Sequence, residues 1–173
     1  MLNQMSFKTT LITTMDRSST VAPYAHRLYG RARWAQQRKQ LRANLTGRNR
    51  RLFTLDEVEA RAAVTQRYSI GTQTVALDRI RGSVDKAGDF DIDFYPAQER
   101  TENRWLQVAT AFLRGVSLPP VELIQVGDTY FVVDGHHRIS VARALGEREV
   151  QATVTTWQVA GLLPWKKQSQ RTQ

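Results

Sequence analysis

The sequence predicts an α+β domain behind a basic, helical N-terminal extension, and three observations predict it. Residues 71–158 run β–α–β–β–turn–α–β, an order that suits one compact mixed domain. Residues 1–70 carry 13 Lys/Arg against 4 Asp/Glu, whereas residues 71–173 carry 12 of each, so the whole net charge of +9 belongs to the first part. The 41 % hydrophobic content of the 173 residues is enough for one core. With no cysteine, disulfides, thiolate metal sites and thiol catalysis are excluded. No apolar run approaches the roughly 18 residues of a membrane span, and the N-terminus lacks a signal-peptide core. A cytoplasmic protein is the resulting expectation.

Residues 1–22 are rich in Ser and Thr and are expected to be a disordered tail. Residues 23–46, PYAHRLYGRARWAQQRKQLRANLT, have the composition of a helix. At about 100° per residue, Arg27, Arg31, Arg38 and Arg42 fall within roughly 60° of one another, close to Trp34, Leu41 and Leu45. Ala25, Leu28, Tyr29, Ala32 and Ala43 lie on the other side. No acidic residue occurs from Arg17 to Leu55, and the loop TGRNRRLF adds Arg48, Arg50 and Arg51. Cations interleaved with a tryptophan suit a nucleic-acid surface, DNA first. The alternative is a solvated helix whose arginine stems cover apolar neighbours. Thr54 and Glu57 then form a capping box that starts a helix over about 55–66, closing an extension of residues 23–70.

From Gly71 the pattern changes. TVALDRI (74–80) reads as a strand, followed by a loop, RGSVDKAG. In DFDIDFYP (89–96) period-two alternation puts Asp89, Asp91 and Asp93 on one face of an extended segment. An EF-hand loop is excluded, because Phe94 and Arg100 stand where glycine and an acid are required. A solvated edge is expected there, with a looser Mg²⁺ site as the alternative. Residues 101–114 form a helix whose buried stripe is Trp105, Val108, Ala109 and Phe112, stopped by Gly115 and Pro119-Pro120. VELIQV, Gly127-Asp128 and TYFVV make a hairpin. A helix over about 136–145, a strand over 150–157 and a tail over 159–173 complete the chain.

The chemically richest stretch is Asp134-Gly135-His136-His137-Arg138, between strand and helix. Asp134 is placed to cap the helix, accepting from the amides of His136 or His137. Gly135 permits close backbone approach. Free amides at a helix N-terminus bind phosphate, with Arg138 and Arg143 as candidate counter-charges. His136 and His137 are candidate acid/base groups. Adjacent positions on a helix diverge by about 100°, which disfavours one shared metal ion. Ser140 reads as a helix-surface serine. The plain alternative is a capped turn with two surface histidines.

These residues also carry a resemblance. LPPVELIQVGDTYFVVDGHHRISVARALG (118–146) resembles the ParB/sulfiredoxin superfamily, and the likeness extends over about residues 73–156. It implies a ParB/sulfiredoxin-like mixed domain with a nucleotide phosphate at the turn formed by Asp134, Gly135, His136, His137 and Arg138. CTP, ATP or ADP, with Mg²⁺, are the implied cofactors. His136 stands where sulfiredoxins have their cysteine, so sulfiredoxin activity is excluded. The partition proteins' helix-turn-helix segment has no counterpart in these residues; the basic part precedes the core instead. The favoured reading is a nucleotide-binding ParB-like domain coupled to nucleic acid through Arg27, Arg31, Arg38, Arg42, Arg48, Arg50 and Arg51. A nuclease or small-molecule phosphotransferase using His136 or His137, and a non-catalytic protein-interaction domain, are the alternatives. A homodimer stays open.

Overall fold

In the computed structural model, which describes residues 17–165, a single mixed sheet of six strands carries the fold, in the order β1-β3-β5-β4-β6-β2. Its strands are β1 (Phe53–Thr54), β2 (Ala62–Ala76), β3 (Ile80–Ser83), β4 (Val121–Val126), β5 (Thr129–Asp134) and β6 (Glu149–Gly161). Four helices accompany them: α1 (Arg17–Thr46), α2 (Leu55–Glu59), α3 (Glu102–Leu113) and α4 (His136–Leu145). Of the expected tails at 1–22 and 159–173, residues 1–16 and 166–173 lie outside the described residues. Residues 17–22 are instead part of α1, β6 runs on to Gly161, and Leu163 is buried in the apolar cluster with Val126 and Phe131.

α1 begins six residues before the expected start and continues through Pro23, whose missing amide removes one helical hydrogen bond. Its inner side matches the sequence reading. Ala25, Leu28, Tyr29, Ala32 and Ala43 are all buried. Ala25, Leu28 and Tyr29 pack against Trp105, Val108 and Ala109 of α3 and Val141 of α4, so the three helices share one apolar cluster. In α3, Phe112 is only partly buried, the other three stripe residues fully so.

The capping box at α2 is formed: the Glu57 amide donates to Thr54 Oγ1 and the Thr54 amide to Glu57 Oε2. The helix stops at Glu59, however, not near residue 66. Val64, Thr65, Tyr68 and Ile70 favour extended backbone, and residues 62–76 pair antiparallel with the whole of β6. Strand β2 therefore replaces the second half of the expected helix. The expected strand 74–80 is divided between the end of β2, a 3₁₀ turn (Leu77–Arg79) and β3. Part of the expected loop 81–88 is strand β3, parallel to β5 in the sheet interior.

The hairpin is as the sequence predicts, β4 and β5 joined through Gly127 at φ 61°. β4 runs parallel to β6. Ile139 and Ala142 of α4 close the main core over Val121, Leu123, Val132, Ala152 and Val154. This packing fixes the N-terminal end of α4, the location of the turn.

Candidate functional site

β5 delivers Asp134 to the head of α4, and Gly135 turns the chain with φ 98°. A side chain is excluded there twice over: the dihedral is left-handed, and a Cβ would lie 2.5 Å from Val121 Cγ1. Gly135, not Asp134, is the N-cap, and no side chain caps the first turn. The Asp134 carboxylate instead accepts from Arg138 Nη2 at 2.5 Å. An arginine one helical turn on offers a charge-assisted bond that outcompetes a backbone amide. Arg138 Nη1 donates to the carbonyls of Pro119 and Pro120. The expected counter-charge for phosphate thus ties the turn to the loop before β4. Arg143 is also committed elsewhere, donating to the carbonyls of Leu77 and Ile80. What remains open is backbone: no hydrogen bond to the amides of His136, His137 or Arg138 is made among the described residues.

The histidines are not surface residues. His136 is 2 % exposed, with Nε2 2.8 Å from Ser83 Oγ and 3.7 Å from Asp85 Oδ1. Ser83 Oγ also accepts from the Lys86 amide at 2.9 Å. Burial pushes the His136 pKa down to about 4, Asp85 opposing it. His137 sets its ring edge against Phe90, with centroids 5.3 Å apart. Its pKa is likewise pushed down to about 4, by burial first and then by Lys86 and Arg104. Both rings are therefore neutral at pH 7. Ser83, Asp85 and His136 do not make a Ser-His-Asp relay. The serine and the acid approach the same ring nitrogen, whereas a relay needs the acid on the other one. Ser83 is moreover fully buried, out of reach of a substrate.

Ser83, Asp85, Lys86, Phe90 and Arg104 surround the histidines without having been expected there. All but Arg104 precede α3 in the segment 81–96, and parallel pairing of β3 with β5 brings them in, setting Ser83 beside Val132. Parallel pairing between distant strands leaves no local mark in sequence. Ser140 is buried too, its Oγ accepting from Trp105 Nε1 at 2.9 Å.

The acids at 89–93 form neither a solvated edge nor a metal site. Arg50 Nη2 donates to Asp91 at 2.9 Å and to Asp93 at 2.5 Å; Lys39 pairs with Asp93 and Arg100 with Asp89. Asp91 is buried. Burial raises the Asp93 pKa, but the bonds from Lys39 and Arg50 outweigh it and hold the carboxyl below its ordinary value. Among the described residues no group of three His, Asp or Glu converges as metal ligands. A Mg²⁺ ion at the turn would thus depend on oxygens brought by a nucleotide.

The expected nucleic-acid residues fall into two sets. Arg50 is half-buried and held by Asp91 and Asp93, and Arg51 pairs with Glu57. Arg50 serves the fold, whereas Arg51 stays exposed in its pair. Arg27, Arg31, Arg38, Arg42 and Arg48 are exposed, and none makes an ion pair among the described residues. The cations on the inner flanks of α1 contrast with them: Arg33 donates to Ala97 O at 2.7 Å and Lys39 to Asp93.

No protein-family profile and no curated protein matches this chain. Among solved structures it is similar to sulfiredoxin from Arabidopsis thaliana, at 16 % sequence identity and a TM-score of 0.38. That likeness covers 50 % of this chain and 86 % of the sulfiredoxin chain.

Proposed function

We propose that this protein binds nucleic acid through the outward face of α1, and that its ParB-like core holds a nucleotide phosphate at the head of α4. One observation carries the first part. Arg27, Arg31, Arg38 and Arg42 point away from the core with no acid beside them among the described residues, while the cations on the inner flanks are partnered. Four unneutralised guanidinium groups on about 23 Å of helix match a polyphosphate backbone. Their mutual repulsion is relieved when phosphates replace bound counterions.

The phosphate reading is supported by the unbonded first-turn amides and the positive end of the α4 dipole. Lys86 and Arg104 supply positive potential at His137. The exposed Asp134 carboxylate opposes it, but Arg138 offsets that charge.

Two experiments test the pair of assignments. At low salt the Arg27/Arg31/Arg38/Arg42→Ala variant should lose at least tenfold in affinity for a labelled oligonucleotide; unchanged affinity overturns the first. CTP, ATP, ADP or GTP, with and without Mg²⁺, should raise the melting temperature, and less so in Lys86→Ala. No rise with any of the four overturns the second.

A further inference from the structure

We propose that the outward face of α1 is a stacking platform for single-stranded nucleic acid, with Trp34 as the residue that takes a base. This rests on the nucleic-acid reading above and narrows its ligand class. Trp34 is 59 % exposed and belongs to none of the apolar clusters of the core. Its ring contact is Arg38, whose guanidinium carbon lies 4.4 Å from the ring centroid. Ten residues earlier, about 15 Å along the helix, the arrangement repeats: Tyr24 is 40 % exposed with Arg27 above its ring at 5.9 Å. Leu41 and Leu45, 63 % and 80 % exposed, continue the same stripe. At about 100° per residue all six positions fall within an arc of about 100°. The opposite side holds Ala25, Leu28 and Tyr29.

Each partner class asks something different of such a face. Unstacked bases have apolar π-faces that lie on aromatic rings and guanidinium planes, while the neighbouring arginines follow the phosphates. A duplex keeps its bases stacked and offers only edges and phosphates. Trp34 and the two leucines would gain nothing against it. Membrane insertion needs an apolar face separated from a charged one, yet here arginines and apolar groups share one arc. A second copy of the chain would set these arginines against their own likeness, a like-charge contact that costs affinity.

The test uses the full chain with a 12-nucleotide oligonucleotide, single-stranded and as its duplex, at equal salt. The single strand should bind at least tenfold more tightly and quench part of the tryptophan emission. Trp34→Ala should weaken it by roughly 5- to 100-fold, as for one lost stacked base, with Trp34→Phe restoring most of the affinity. The salt slope should stay unchanged, because no charge is removed. Trp34 is outside the core, so both variants should keep the native melting temperature. Duplex binding as tight as single-strand binding, or indifference to Trp34→Ala, overturns this inference and leaves the nucleic-acid reading standing. Binding to neither oligonucleotide, or to phosphatidylserine vesicles in preference, overturns both.

Discussion

The head of α4 and the outward face of α1 both carry arginines and aromatic or imidazole rings, yet the fold treats them oppositely. At the turn, Arg138 is tied to Asp134, Pro119 and Pro120, and His136 is buried against Ser83. On α1, Arg27, Arg31, Arg38 and Arg42 have no acidic partner among the described residues, and Trp34 faces water. Density of reactive residue types is therefore a poor guide to availability. Groups at the turn are rich in chemistry and largely used by the structure. Arginines on the outward face of α1 are plain and, among the described residues, carry no acidic partner.

The sharpest consequence is a loss of stability between pH 7 and about pH 4 that originates at the turn. His136 titrates at about 4 when folded, because burial disfavours the imidazolium, against about 6.5 when unfolded. Between those values the unfolded chain binds more protons, so stability rises with pH. The contribution is complete above pH 6.5 and is lost as pH falls toward 4, on the order of 3 kcal/mol for this ring. His137 shifts the same way and adds a smaller amount, since it is less buried and better screened. Urea midpoints should fall steadily from pH 7 to pH 4.5. A flat profile would mean that the rings are not buried neutral.

A smaller effect separates the two sets of arginines. Arg50→Ala leaves the buried Asp91 without its cation, and should destabilise by about 3 kcal/mol. The remaining amide bonds from Asp93 and Tyr95 to Asp91 Oδ1 keep the loss from being larger. Arg42→Ala removes an exposed charge with no ion pair among the described residues and should change stability by less than about 0.5 kcal/mol. Denaturation curves of the two variants should therefore separate widely. Equal curves would erase the distinction between structural and available arginines.

Legibility in the sequence followed the range of the interactions. The two sides of α1, the capping box at Thr54–Glu57, the β4–β5 hairpin and the α3 stripe depend on spacings of a few residues, and they are as the sequence predicts except that Phe112 of the stripe is only partly buried. Strand β2 was hidden because its partner, β6, lies nearly a hundred residues away, and residues 60–66 alone continue a helical pattern acceptably. Arg50 looked like one more cation of a basic stretch; only the folding-back of residues 89–96, with Phe94 at φ 58°, brings Asp91 and Asp93 to it. At the turn the sequence located the stretch but not the roles. The left-handed Gly135 moves the cap by one residue and releases Asp134 to Arg138.

The salt dependence of oligonucleotide binding reads out directly whether the outward arginines of α1 hold phosphates. For a single strand, log affinity should fall linearly with log salt concentration, with a slope near −0.7 for each phosphate neutralised. Replacing Arg27, Arg31, Arg38 and Arg42 together by alanine should reduce that slope by about 3 if each neutralises one phosphate. A slope unchanged by the quadruple substitution would mean that the charges that bind nucleic acid lie elsewhere than on the outward face of α1.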